Sequence, residues 1–291
     1  MSDASAATLG SLAREGAVYL ESRDVPSASF DARVLLAHAL GISRSELLSR
    51  LGEPAPDRVR GRFREYLERR GGRVPLQHIT AAQEFWSLEF EITPAVLIPR
   101  PETELVVEEA LRLGASSRLL ADIGTGSGNI AVALARGLPA AKVFASDVSS
   151  EALQVARRNA ARHGVASRVE FLLGDLAAPL EKAVEPGSLD LLVSNPPYVS
   201  AWELASLEPE VRDHEPRLAL TPMLGDGLSL YPALLDAAVR FLRPGGHVIL
   251  ELPWGGADRV PGLMAGKDAL ELLTVRSDYS GTLRVLVARR R

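Results

Sequence analysis

Asn195-Pro196-Pro197-Tyr198 follows the apolar run Leu189 to Val193, so an amide side chain meets a stiff corner at the end of a strand. Each proline drives the residue before it out of the helical region and brings no N–H of its own. The corner is therefore rich in acceptors. Asn195 Oδ1 and the Pro196 carbonyl can each accept one N–H of a planar amide or aromatic amine, and Tyr198 offers a ring for stacking. Such a constellation suits the orientation of a weak nitrogen nucleophile. Taken alone, the same tetrapeptide is a Pro-Pro turn with an asparagine cap.

A second constellation lies upstream. Leu119 to Ile123 reads as a short buried strand that runs into Gly124-Thr125-Gly126-Ser127-Gly128, and the Ala-rich segment Ile130 to Leu138 then reads as a helix. Glycines let the backbone turn tightly and approach a ligand, and the helix start supplies unpaired N–H groups. The run Gly126 to Ala131 also fits the dinucleotide fingerprint, so the loop by itself does not choose between ligands.

Asp147 ends the next strand, Lys142 to Ala145, about twenty residues beyond the glycines, where an acid commonly holds ribose hydroxyls. Asp175 follows the strand Val169 to Leu173 and can accept from an adenine amino group, and Asp122 precedes the loop. Each of these acids is also a candidate helix cap, Asp147 in front of Val148-Ser149-Ser150-Glu151 included. For Asp147 the ribose role is preferred. Three carboxylates repel pyrophosphate but suit a cationic sulfonium, which favours S-adenosyl-L-methionine over a nicotinamide dinucleotide. In an open parallel sheet such motifs belong at the carboxyl ends of the strands.

The chain resembles the HemK-like protein-(glutamine-N5) methyltransferases, which modify peptide chain release factors. The resemblance spans nearly the whole sequence. It is carried by Val96-Leu97-Ile98-Pro99-Arg100-Pro101-Glu102-Thr103-Glu104, by Asp122 to Gly128, by Val193 to Tyr198, and by Glu215-Pro216 with Ala219-Leu220 and Asp226-Gly227-Leu228. The Asn-Pro-Pro-Tyr motif is shared with adenine-N6 methyltransferases, whereas the Ile-Pro-Arg-Pro-Glu-Thr-Glu run is more discriminating. The sequence departs from the family at Leu252-Pro253-Trp254, after Glu251, and at Leu176, where an aromatic is common. The resemblance implies transfer of a methyl group from S-adenosyl-L-methionine to a glutamine nitrogen. It also implies a catalytic role for Asn195, Pro196 and Tyr198. Asp122, Gly124, Thr125, Gly126, Ser127, Gly128, Asp147, Asp175, Leu176 and Asn195 are expected at the cofactor, and Asn195 to Tyr198 with Arg100 at the substrate. Arg100, between Pro99 and Pro101, is expected to order the site wall or to pair with Glu102, a purely structural clamp being the alternative. Alternatives are an adenine-N6 methyltransferase acting on a flipped base, a nicotinamide-dependent oxidoreductase and a silent adenosine-binding module. The first of these lacks an obvious target-recognition domain.

Composition sets the frame. The 291 residues are 46% hydrophobic and 24% charged, enough for a core and a small extra domain. There is no cysteine, which excludes disulfides, thiolate catalysis and a Cys-based metal site, and no metal is expected. No apolar run reaches membrane-spanning length, and the start, with Asp3 among small residues, lacks the regions of a signal peptide. The expectation is a cytoplasmic monomer without stable nucleic-acid binding, at a net charge of -4.

Periodicity organises the rest. Thr8 to Leu20, Phe30 to Leu40, Ser43 to Ser49 and Arg58 to Arg70 carry helical spacing, and Ser43 with Glu46 fits a capping box. Residues 1–73 thus form a helical bundle expected to recognise the substrate. Gly71-Gly72 ends it. Trp86, Leu88, Phe90 and Ile92 then alternate with polar residues, the period of a strand, so 74–95 is expected to be a β-hairpin linker. From 96 to 291 strands and helices alternate as in an α/β doubly wound sheet, with a helix from Leu228 to Leu242 and a strand from His247 to Leu252. Leu270 to Val275 with Thr282 to Ala288 is expected to close the class I methyltransferase sheet of seven strands. The arginine-rich run from Arg58 to Arg73 reads first as a solvated helix face, or else as a patch steering an acidic partner or a ribosome-associated ligand. The segment 199–227, with His214, is expected to form a lid, and a lone histidine there is given no chemistry.

Overall fold

The structure is a computed structural model that describes residues 7–222 and 227–291, so the expectations placed on Asp3 and Asp226 lie outside the described residues. The chain divides into two compact units, one running up to Ala81 and joined by Glu208–His214, the other Ala82–Leu207 with Glu215–Arg291.

The first unit holds α1 (Leu9–Glu21), α2 (Ala28–Leu40), α3 (Arg44–Ser49), α4 (Asp57–Gly71) and α5 (Leu76–Thr80), close to the spans that periodicity implies except for α5. Hydroxyls start two of them: Thr8 accepts the Ser11 N–H at 3.1 Å and Ser43 the Glu46 N–H at 3.1 Å. The Glu46 carboxylate pairs with Arg50 at 3.0 Å, so the expected capping box forms on its Ser43 side. Leu9, Leu20, Leu35, Leu36, Leu47 and Phe63 fill the core. Gly16 is required there, since a Cβ would stand 2.6 Å from the Phe63 ring.

The arginine run splits in two. Arg58, Arg62 and Arg64 are exposed, as a solvated face requires, but Arg70 is buried and bonds Asp31 at 2.7 Å. Arg70 and Arg73 also bond Glu210, which sits in α9 (Pro209–His214), the helix that the later chain contributes to this unit. These contacts hold the Glu210 carboxyl down to about 2 against the opposing effect of burial.

The second unit begins with the hairpin β1 (Ala82–Phe85) and β2 (Leu88–Glu91). Trp86 and Ser87 are its turn, both with positive φ, which matches the twist of the flanking strands. Trp86 therefore lies in the turn rather than in a strand, half-buried against the core that Phe85, Phe90 and Ile92 enter. Asn159 fastens the hairpin: its Oδ1 accepts the Glu91 N–H at 2.7 Å, and its Nδ2 donates to Glu91 O and Ser127 O.

Then follow α6 (Glu104–Leu113), β3 (Leu119–Ile123), α7 (Asn129–Gly137), β4 (Lys142–Asp147), α8 (Ser150–Arg162), β5 (Val169–Leu173) and β6 (Leu189–Ser194). Beyond β6 come α10 (Arg217–Leu220), α11 (Tyr231–Phe241), β7 (Leu242–Glu251), α12 (Val260–Met264), β8 (Leu270–Ser277) and β9 (Leu283–Arg290). Seven strands form one sheet in the order β5-β4-β3-β6-β7-β9-β8, with β9 antiparallel to both of its neighbours. The apolar runs of β3, β4 and β6 are buried on both faces because helices cover the sheet on each side, giving two separate cores. The β7 strand starts at Leu242 and includes Pro244-Gly245-Gly246, earlier than expected, with a register shift against β6 between Leu189 and Leu191 that accommodates the proline. No helix among the described residues is long and apolar enough to cross a membrane.

Candidate active site

Strand register gathers the chemistry at one edge. Ile123 pairs with Ser146 on one side and with Ser194 on the other, and Ser194 pairs with Leu250. One residue further along each strand stand Gly124, Asp147, Asn195 and Glu251, side by side at carboxyl ends whose neighbours are spaced about 5 Å apart. Ser194 Oγ donates to Ile123 O at 2.7 Å, and the Gly124 and Thr125 amides both donate to Ser146 O at 2.9 Å.

The glycine loop is shaped for an approaching ligand. Gly124 and Gly126 have positive φ, with open space where a Cβ would stand, while a Cβ on Gly128 would lie 3.1 Å from Ala156. Asp122 is fully buried beneath the loop. Its Oδ2 accepts the Thr125 hydroxyl at 2.6 Å and the Ala131 N–H at 3.1 Å, and Oδ1 has no hydrogen-bond partner. Burial pushes its carboxyl up to about 7, against those two donors, and nearby Asp147 adds to the rise. Ser127 is buried and its carbonyl holds Asn159.

Asp147 accepts the Gly126 N–H at 2.8 Å on Oδ2 and the Ser149 N–H at 2.9 Å on Oδ1. It is not the cap of α8, because Ser149 accepts the Ala152 N–H and fills that place. Burial raises its pKa, and the amides of Ser149, Gly126 and Val148 oppose the rise. Asp175 is exposed, and Leu176 is half-buried with a positive φ, its carbonyl accepting the Ser146 hydroxyl at 2.8 Å. Both border a cavity of about 320 Å³ shared with Glu181, Asp236, Arg240 and Phe241, whose lining does not include the glycine loop or Asn195.

The Asn-Pro-Pro-Tyr corner leaves β6 with Asn195 half-buried and Pro196 buried. Asn195 Nδ2 donates to Thr103 Oγ1 at 3.0 Å, so Oδ1 is the atom left to accept. The Tyr198 hydroxyl donates to Glu251 Oε1 at 3.2 Å, and burial together with that carboxylate keeps the phenol protonated far above its ordinary value. Arg100 pairs with Glu215 at 2.5 Å rather than with Glu102, and Glu215 also accepts the Ile98 N–H at 3.1 Å. The Pro-flanked arginine is thus tied to the Glu-Pro pair that follows the corner.

Two residues at this edge carry no expectation from sequence. Glu251 is 1% exposed at the end of β7, with Oε2 unpartnered, and the Tyr231 hydroxyl donates to its carbonyl at 2.6 Å. Its signal was a carboxylate closing the apolar run Val248 to Leu250. Thr103, 1% exposed, has none beyond its place in the Arg-Pro-Glu-Thr run.

The residues present fit S-adenosylmethionine: an open glycine cradle, a buried carboxylate oxygen without a donor at Asp122, and a second carboxylate at Asp147. Among the described residues no cluster of His, Asp and Glu is placed to hold a metal ion.

Residues 11–80 match the PrmC N-terminal domain family, and residues 117–274 match a methyltransferase domain family. A release factor glutamine methyltransferase of Moorella thermoacetica is 44% identical over 98% of this chain and 99% of its own length. One of Geobacter sulfurreducens is 41% identical, over 93% of each. Among solved structures, a methyltransferase from Pyrococcus furiosus superposes with a TM-score of 0.51 at 22% identity, covering 69% of this chain and 88% of its own. The hMettl16 catalytic domain in complex with MAT2A 3′UTR hairpin 6 gives 0.56 at 16% identity, covering 74% and 80%. At such identities these two establish the fold alone.

Proposed function

Because this chain belongs to the family of release factor glutamine methyltransferases, we propose that it methylates the side-chain nitrogen, N5, of a glutamine in a peptide chain release factor, at the corner Asn195 to Tyr198. The chain is a methyltransferase, and its methyl donor is S-adenosylmethionine. The observation that carries the reading is the Asn195 amide, whose Nδ2 is engaged by Thr103 while Oδ1 stays open as an acceptor.

When bound, S-adenosylmethionine supplies an electrophilic methyl group on a positively charged sulfur. Gly124, Gly126 and Gly128, with Thr125 and Ser127, bring backbone close to it; Asp147 accepts from ribose hydroxyls with lone pairs that its two amide partners leave. Asp175 and Leu176 serve the adenine, and Asp122 holds the loop from beneath through the Thr125 hydroxyl and the Ala131 amide. Asn195 Oδ1 and the Pro196 carbonyl each accept one N–H of the glutamine amide. An amide nitrogen is a poor nucleophile because its lone pair is delocalised, and two fixed acceptors hold it in line and favour pyramidalisation. The nitrogen gives its proton to water after alkylation has made it acidic, so orientation is the main task, and positioning contributes up to roughly 7–11 kcal/mol in favourable cases. Tyr198, kept neutral, and Pro197 wall the acceptor. The helical unit, with its exposed arginines on α4, docks the release factor. A cytoplasmic monomer without stable nucleic-acid binding goes with this reading.

The test is incubation with methyl-labelled S-adenosylmethionine and purified bacterial release factors, followed by peptide mass spectrometry. One methyl group on a glutamine side chain is expected. Label in DNA or RNA with none in the release factors overturns the reading in favour of an adenine acceptor.

A further inference from the structure

Asn195 is useful as an acceptor only in one of its two amide orientations, because Nδ2 facing a glutamine NH2 sets donor against donor. The backbone does not select the orientation, since the two ends of the amide are nearly equal in shape. Thr103 selects it. Its hydroxyl is 1% exposed, in the turn before α6, and it receives Nδ2 at 3.0 Å. A hydroxyl can donate as well as accept, so its own proton needs a destination if the lone pair is to face Asn195. Glu251 is the group that can take it: its Oε2 is buried without a hydrogen-bond partner, and Thr103 is near enough to act on its carboxyl. Glu251 Oε1 also receives the Tyr198 hydroxyl at 3.2 Å. Both ends of the Asn-Pro-Pro-Tyr corner therefore lead to one buried carboxylate.

We propose that Thr103 and Glu251 are positioning residues for methyl transfer: Thr103 fixes the Asn195 amide with Oδ1 toward the acceptor nitrogen, and Glu251 orients both the Thr103 hydroxyl and Tyr198. The inference rests on the reading of this corner as the glutamine site. Neither residue touches substrate, so each acts through Asn195 or Tyr198.

Thr103→Val and Thr103→Ser separate positioning from packing. Valine keeps the shape and removes the acceptor, whereas serine keeps the hydroxyl and loses a methyl group. Packing alone ranks valine at or above serine; positioning reverses the order. Methyl transfer to a release factor and calorimetric affinity for S-adenosylmethionine are measured on the full-length chain. Thr103→Val is expected to lower kcat about 10- to 100-fold, the value of one lost hydrogen bond, with KM and cofactor affinity within about twofold. Thr103→Ser is expected within about threefold of the original rate. A valine variant as fast as the original chain, or a serine variant no faster than valine, overturns the proposal. Should valine also abolish cofactor binding, Glu251→Leu, which removes both acceptor oxygens, decides: lowered kcat with retained cofactor affinity supports the inference, and unchanged kcat overturns it. If the unaltered chain itself transfers no methyl group to the release factor, the functional reading fails and the inference falls with it, an outcome distinct from equal rates across active variants.

Discussion

Tyr198 and Glu251 meet across the ends of β6 and β7, the phenol donating to Oε1 at 3.2 Å while Oε2 of the same carboxyl has no partner. A carboxyl so enclosed keeps its proton to a higher pH than an exposed one. Burial pushes it up to about 7; the hydroxyls of Thr103 and Tyr198 and the charge of Arg284 oppose the rise, and Glu102 adds to it.

Stability should carry this signature. The unfolded chain releases the Glu251 proton near the ordinary 4.5, the folded chain near 7, so between these values the folded state holds more protons and loses stability as the pH rises. Glu251→Gln removes the ionisation. The melting temperature of the variant, relative to the original chain, is expected to rise from pH 5 to pH 8. A difference independent of pH in calorimetric scans would show that the carboxyl does not resist ionisation.

Asn195→Ala removes the acceptor Oδ1 and leaves the glycine loop intact. The expected loss is about 10²- to 10³-fold in kcat, as for removal of one preorganised polar contact, with the affinity for S-adenosylmethionine nearly unchanged. Stopped turnover assays beside equilibrium binding check both halves. A rate equal to that of the original chain would remove the amide clamp from the mechanism.

Asp147→Ala should act on the cofactor first. It deletes the proposed ribose acceptor and also frees the amides of Gly126 and Ser149, which Asp147 holds at 2.8 and 2.9 Å. Affinity for S-adenosylmethionine is expected to fall at least about tenfold, or about 1.4 kcal/mol. Unchanged affinity in a calorimetric titration would exclude the ribose role.

The sheet was legible because β3, β5 and β6 are short, mostly apolar runs, each with one internal acid, that lead into Gly124, Gly174-Asp175 and Asn195. Asn195 was legible for a related reason, since two prolines make its backbone predictable from local sterics alone. What escaped was set by distant partners. Thr103 and Asn195 are 92 positions apart, and Arg70 is buried only because Asp31 and Glu210, 39 and 140 positions away, meet it. Trp86 fits the alternation of a strand, but it and Ser87 adopt positive φ and form the turn. The pairing of Arg100 was misjudged similarly: proximity in sequence favoured Glu102, whereas the fold brings Glu215 from 115 positions away.

That last pair yields a double-variant test. The Glu215 side chain is 1% exposed and accepts both Arg100 at 2.5 Å and the Ile98 N–H, whereas Arg100 remains about one-third exposed. Deleting the arginine strands a buried carboxylate, so Arg100→Ala should cost about 1–3 kcal/mol in denaturant unfolding. Glu215→Gln made alone keeps an acceptor for Ile98 and removes the charge that needs Arg100. Combined, the two changes should cost less than their sum, with a coupling of at least about 1 kcal/mol. Strict additivity would mean that the pair contributes nothing to folding.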